Sequence, residues 1–229
     1  MIFEKRLDII REMLENEEKI SNKDLLKTLC ISESTLRRDL DYLEEAGEIT
    51  RVHGGAVLRK IEKETNFKFN ETSNIELKKT IGKKAASLVK DGDFIFLDGG
   101  TTTHQVLDYI SASDVTIVTN GIMHLNKLNE LGLKTILIGG EVKHTTLITY
   151  GELAIDQIAN FSFDLAFIGA NGIGDEYYST ADIHEAMIKK AAIKKSRDTY
   201  ILADSSKFNK NYFVDFCKID EAKLITEEI

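Results

Sequence analysis

The sequence predicts a two-part protein: a winged helix-turn-helix over residues 1–58, a linker over 59–75, and a larger α/β domain over 76–229 with a mainly parallel sheet. Two observations carry that prediction. Three short amphipathic stretches precede a Gly-Gly hairpin near the amino terminus. Further on, "FIFLDGG", "VTIVTNG", "TILIGGE", "LAFIGANG" and "TYILADSS" are apolar runs ending in Gly, Asn or Asp, with helical stretches between them.

In the first part, Ile2, Leu7, Ile10, Met13 and Leu14 recur at helical spacing over 3–15. Ser21 is placed to cap a short second helix, with Asp24 three residues on. "CIS" breaks that helix and Ser32 offers a new cap. The third helix runs to about Glu45, with Leu36, Leu40 and Leu43 as its buried stripe and Gly47 at its end. "EITRVHGGAVLRK" then reads as two strands about Gly54-Gly55. Residues 59–75 are polar and aperiodic, hence a linker with one short ordered piece. Helices are expected at about 76–90, 101–111, 121–131, 151–160 and 182–196. Strand order is not legible in this pattern.

The chain has 229 residues, net charge −8, no proline and two cysteines. That size accommodates a small and a medium domain. The acidic balance argues against indiscriminate coating of nucleic acid, so any DNA contact must come from a few well-placed cations. Cys30 and Cys217 show no CxxC spacing and read as reduced thiols. The amino terminus lacks signal-peptide layout and no apolar run reaches membrane-span length, so a cytoplasmic protein with no membrane partner is expected.

A helix-turn-helix reads bases with the first residues of its second helix. Ser32, Glu33, Ser34, Thr35, Arg37 and Arg38 form that surface, while Leu36 and Leu40 point into the core. Arginine can pair bidentately with guanine and hydroxyls can reach bases or phosphate. One arginine is expected to read the groove and the other to clamp phosphate. Arg51 and His53 on the wing would meet backbone or minor groove. An RRD string alone more often marks a solvated face, with the arginines paired to Asp39, Asp41 or Glu44. The three-helix-plus-hairpin context favours double-stranded DNA.

In the second part, Asp98-Gly99-Gly100-Thr101-Thr102-Thr103 is a strand end, a glycine turn and a helix start. Its backbone N–H groups and hydroxyls suit a phosphate. It is neither a Walker A loop nor GxGxxG, so no dinucleotide or other cofactor is implied. Asn120, Gly139, Gly140, Asn171 and Asp204 also close predicted strands, where ligands of open α/β sheets lie. Lys207 adds a cation; Asp98, Asn120 and Asp204 could hold hydroxyls. Asp182 and Glu185 share one helical face, with a helix-terminal charge as the rival role for the pair. "HEAMI" is not HExxH, and His104, His124 and His144 show no ligand spacing, so no metal is expected.

"ISESTLRRDLDYLEEAGEITRVHGGAV" resembles the signature of the DeoR family of bacterial transcriptional regulators, and the similarity continues to about Lys210. The resemblance implies an effector domain similar in fold to sugar-phosphate isomerases. It implies that Asp98, Gly100, Thr101 and Thr102 form a phosphate cradle, bordered by Glu185, Ala186 and Asp204 to Lys207. A repressor released from its operator by a phosphorylated sugar, and working as a homodimer or homotetramer, is therefore expected. Asn70 departs from the family, whose members often carry Arg there. The alternative is an isomerase-like enzyme with Asp98, Glu185 or Asp204 as its base and Lys207 on phosphate. The attached reading head favours sensing, with no catalytic residue.

Overall fold

The computed structural model describes residues 2–17, 19–46, 48–58 and 72–228. Gly47, Asn70 and most of the expected linker lie outside the described residues. The chain divides into two compact units, Met1–Lys60 and Ile61–Ile229.

The first unit holds α1 (Phe3–Asn16), β1 (Lys19–Ser21), α2 (Asn22–Leu29), α3 (Glu33–Glu45), β2 (Ile49–Val52) and β3 (Gly55–Leu58). Ser21 accepts the Asp24 N–H and Ser32 accepts the Thr35 N–H, so both expected caps start their helices. Leu7, Ile10, Leu14, Leu25, Leu29, Leu36, Leu40 and Leu43 make one buried cluster. Each fully buried leucine or isoleucine contributes about 1.5–3 kcal/mol. Ile2, expected on the buried stripe, is exposed and stands just before the helix.

The wing is a three-stranded antiparallel sheet in the order β1-β3-β2; the strand β1 is not anticipated from the sequence. The turn conformation calls for the first glycine and the pairing with β1 for the second. Gly54 has φ +79°, and a Cβ on Gly55 would stand 2.1 Å from the Ile20 carbonyl oxygen.

The second unit carries a six-stranded, wholly parallel sheet in the order β14-β12-β9-β4-β5-β6. These strands are β4 (Phe94–Leu97), β5 (Thr116–Thr119), β6 (Lys134–Leu137), β9 (Phe163–Gly169), β12 (Ser196–Leu202) and β14 (Lys223–Ile225). Alternation sends Ile95 and Leu97 to one face and Phe96 to the other. On the first face they meet Ile81 and Ala85 of α4 (Ile75–Ala86). On the second, Ala154 and Ile158 of α7 (Glu152–Ala159) and Ile188 and Ala192 of α8 (Ile183–Lys194) cover the sheet.

The remaining expected helices are shorter than read. α4 stops at Ala86, and α5 (Thr101–His104) tightens into a 3₁₀ turn over Gln105–Tyr109. A 3₁₀ turn over Ile122–His124 leads into α6 (Leu125–Glu130). Two small antiparallel elements are absent from the expectation. One is the ribbon of β7 (Glu141–Lys143) and β8 (Ile148–Tyr150); the other joins β10 (Gly172–Ile173), β11 (Tyr177–Thr180) and β13 (Val214–Lys218).

Candidate nucleic-acid interface and effector cleft

Helix α3 stands clear along its outer face. Arg37 and Arg38 are both exposed, as are Ser32, Glu33 and Ser34, and Thr35 is half-buried. Ser32 Oγ lies 3.0 Å from Ser34 Oγ and 2.9 Å from Thr35 Oγ1. Arg38 Nε donates to the Ser34 carbonyl at 3.4 Å, and Arg37 Nε stands 3.9 Å from Asp41. On the wing, Arg51 pairs with Asp41 and donates its backbone N–H to Glu44 at 2.7 Å; His53 is exposed in the turn.

Asp39 is not a surface partner of these arginines. It is 1% exposed and takes a two-pronged contact from Arg6 at 2.6 and 2.8 Å. Arg11 similarly grips Glu48 at 2.6 and 2.8 Å. Both pairs tie α1 to the reading helix or its exit. They leave Arg37 and Arg38 with only a weak intramolecular hold, available to a polyanion.

In the second unit, the crevice between β4 and β9 is where the strand order reverses. One cleft there is lined by the Gly99–Thr103 turn, Asn171, Glu185 and Lys207, together with Lys78, Thr146 and Lys189. Eight expected site residues thus meet. Gly99 is required: a Cβ there would fall 2.3 Å from the Ile148 side chain.

At one end, Lys78 Nζ donates to Thr101 Oγ1 at 3.0 Å. Burial pushes the ammonium pKa values of Lys78 and Lys207 down, and Asp204 pulls both back up. Asp204 is buried; its Oδ1 takes Asn74 Nδ2 at 3.1 Å and the Ser206 N–H at 3.1 Å. Its Oδ2 has no hydrogen-bond partner among the described residues. The 204–207 loop is strapped from below, where Glu227 accepts the Ser205 N–H on both oxygens at 3.1 Å. Lys84 holds that strap through the Thr226 and Glu227 carbonyls, each at 2.9 Å.

At the other end, Glu185 accepts from Lys143 at 2.9 Å and from Thr146 at 3.2 Å on Oε1. The Thr180 hydroxyl lies 2.8 Å from Asn171 Oδ1 and 3.2 Å from Glu185 Oε2. Behind them, Asp98 is buried and joined to Lys189 at 2.5 Å and to the Gly169 N–H at 3.0 Å. Burial raises the Asp98 pKa, opposed by Lys189.

Six expected ligand contacts take other places. Asp98 joins β4 to β9 and α8 and is closed off from solvent. Asn120 is buried, accepting the Gly99 N–H at 2.9 Å and donating to the Thr149 carbonyl at 3.3 Å. Asp182 caps α8 by accepting the His184 and Glu185 N–H groups. Gly139 and Gly140 follow edge strand β6 and do not line the cleft. Thr103, though at the cleft wall, donates inward to the Asp98 carbonyl at 2.7 Å.

Two histidines brace the glycine turn. His124 Nε2 lies 3.1 Å from the Asp98 carbonyl, which can only accept, so that nitrogen carries the proton. Nδ1 must then accept from His104 Nδ1 at 3.0 Å. Burial pushes the His124 pKa down to about 3. Among the described residues, no group of three or more His, Cys, Asp or Glu side chains is placed to hold a metal ion, and no helix is long and apolar enough to cross a membrane.

The chain is similar to known proteins along nearly its whole length. The DeoR-like helix-turn-helix domain matches residues 6–62, and the DeoR C terminal sensor domain matches residues 73–228. The chain is 38% identical to the HTH-type transcriptional regulator FruR of Bacillus subtilis, over 100% of this chain and 92% of that protein. It is 34% identical to the lactose phosphotransferase system repressor of Staphylococcus epidermidis, over 96% of this chain and 90% of that protein. Among solved structures, eIF2B delta from Chaetomium thermophilum shares the fold at TM-score 0.52 and 15% identity, over 69% of this chain and 58% of that one. Ribose 5-phosphate isomerase A from Methanocaldococcus jannaschii aligns at TM-score 0.45 and 19% identity, over 60% of this chain and 56% of that one. An amino-terminal DNA-reading head followed by a sensor domain, matched along nearly the whole chain, places this protein in the DeoR family of transcriptional regulators.

Proposed function

We propose that this regulator represses a sugar-utilisation operon and that a phosphorylated sugar bound in the sensor cleft controls its grip on the operator. The observation that carries the effector reading is the convergence of Lys78, Lys207 and Thr101 beside the Gly99–Gly100 turn. Two partly desolvated ammonium groups, a hydroxyl and turn N–H groups make a phosphate cradle. The repressor named for lactose, at 34% identity over 96% of this chain, supports the sugar connection.

On the DNA side, Arg37 and Arg38 supply base and phosphate contacts from α3, and Arg51 and His53 meet the backbone from the wing. One small head contacts few base pairs, so a homodimer or homotetramer engaging paired half-sites supplies the affinity. The effector must favour one arrangement of the heads, and a coupling of about 1–3 kcal/mol changes occupancy by roughly one to two decades. Sensing without turnover fits the carboxylates: both Glu185 oxygens are engaged and Asp98 is sealed against Lys189.

Mobility shift of the chain's own upstream DNA, at fixed salt, tests this. Arg37→Ala and Arg38→Ala should each abolish the shift while sugar-phosphate binding persists. Thr101→Ala with Lys207→Ala should leave a repressor that binds DNA and ignores effector. Unchanged operator affinity in both arginine variants, or a wild-type effector response in the double variant, contradicts the proposal.

A further inference from the structure

Resting on the proposal that the regulator works as an oligomer, we infer that helices α7 and α8 form the face by which the sensor unit meets a second copy of this chain about a two-fold axis. The first observation is a group of apolar side chains left in water. Leu153 is 69% exposed, Ile183 52% and Met187 45%. Leu153 and Met187 line a groove of about 440 Å³ between the starts of the two helices, with Tyr150, Ile155 and His184. Ile183 stands one turn before Met187 on α8. Single exposed apolar residues are ordinary on a surface, whereas several beside one groove mark a contact site. The Tyr150 hydroxyl on the groove wall is already given to Glu141 at 3.2 Å, and the Tyr150 and His184 rings pack at 5.0 Å. Such a wall suits an apolar side chain from a partner.

The charges beside the groove say which partner fits. On α7, Glu152 and Asp156 are exposed one turn apart, opposite the buried Ala154 and Ile158. On α8, Ile183, Met187, Lys190 and Lys194 recur at i, i+4, i+7 and i+11 and are all exposed, opposite the buried Ala186, Lys189 and Ala192. Among the described residues, neither the two acids nor the two lysines has an ion-pair partner. Helix α7 leads into β9 and α8 into β12, which are neighbouring parallel strands, so the two helices run the same way. A two-fold axis lying along them sets α7 of each copy over α8 of the other. The acidic face then meets the basic face twice, around a centre made by Leu153 and Met187. An axis across the helices would instead stack α7 on α7, acid on acid. The face is therefore self-complementary in one arrangement, as an isologous dimer requires. Glu141, Glu152 and Asp156 oppose the binding of nucleic acid or an anionic membrane at this face.

Sedimentation equilibrium of the full chain tests the inference. The unmodified chain should be a dimer or a tetramer. Met187→Glu, at an exposed position, should keep its far-ultraviolet circular dichroism and lose one step of association, from tetramer to dimer or from dimer to monomer. Asp156→Lys and Lys190→Glu should each weaken association at least about tenfold, since like charges then oppose at both contacts. The two together should restore it to within about threefold of the unmodified chain. An unchanged oligomer in the folded Met187→Glu protein overturns the inference and leaves the oligomer reading standing. Charge reversals that do nothing, or whose losses add in the double variant, overturn it as well. A monomeric unmodified chain overturns both the inference and the oligomer reading, and leaves the groove to a different protein.

Discussion

Replacing Lys189 with Met keeps the stem beside Phe216, whose ring centre lies 5.6 Å from the ammonium, and removes only the charge. Asp98 then keeps one donor, the Gly169 N–H at 3.0 Å, and loses its counter-ion in a site closed to water. Breaking a buried pair from one side costs about 3–5 kcal/mol, a large share of the roughly 5–15 kcal/mol that holds a domain folded. Replacing both partners, Asp98→Asn with Lys189→Met, leaves no stranded charge and should recover at least about 2 kcal/mol of that loss. Hydrogen exchange of β4 and β9 amides, read in the single and double variants, reports the stability of this unit alone. The pH dependence has a definite sign. Burial already raises the Asp98 pKa above its ordinary value, and loss of Lys189 raises it further. The deficit of Lys189→Met should thus be largest at alkaline pH and shrink as acid protonates Asp98. Additive losses in the double variant, or a deficit independent of pH, would refute the reasoning.

Three other outcomes follow from the structure. Asp41→Asn removes the acid that holds Arg51 and flanks Arg37 at 3.9 Å; a surface pair of this kind is worth up to about 1 kcal/mol, so operator affinity in mobility shift should rise by roughly fivefold at most, with no rise counting against it. Gly55→Ala drives a Cβ to 2.1 Å from a backbone oxygen that no rotamer can move. It should cost about 1–3 kcal/mol, deprotect the Lys19–Ser21 amides and weaken DNA binding while sugar-phosphate titration is unaffected. His124→Gln tests the buried histidine: its folded pKa, about 3, lies below the unfolded value near 6.5, so its contribution is complete above pH 6.5 and falls away toward pH 3. Between those limits wild type should lose about 1.4 kcal/mol per pH unit more than the variant in denaturant titrations, and parallel slopes would exclude the assignment.

Much of the reading head was legible because its signals are local. Ser21 and Ser32 cap, the leucines of α3 repeat at helical spacing, and Gly54-Gly55 marks the hairpin. Strand β1 was not, since three residues show no period and its pairing with β3 is a long-range event. The Arg6–Asp39 contact was hidden for the same reason: helical periodicity says which side is buried, not what lies across from it. In the sensor unit, the ends of the apolar runs marked the cleft, but strand order decides which ends converge. Gly139 and Gly140 look like the other strand-end glycines and follow an edge strand instead. Lys78 and Lys189 sit in lysine-rich helices, "IELKKTIGKKAA" and "IHEAMIKKAAIK", where nothing local distinguishes the buried lysine from its solvated neighbours. The one usable hint for Lys189 was its spacing, one turn beyond Glu185 on the same face.

The clasp of Glu227 on Ser205 makes the segment that follows β14 a foundation for Lys207. Trimming the chain just after β14 would spare every cleft-lining side chain, yet it would unmoor the turn that aims that lysine. Proteolytic clipping of a preparation at this point would therefore masquerade as a ligand-site defect, and intact mass should be checked before any insensitive variant is interpreted.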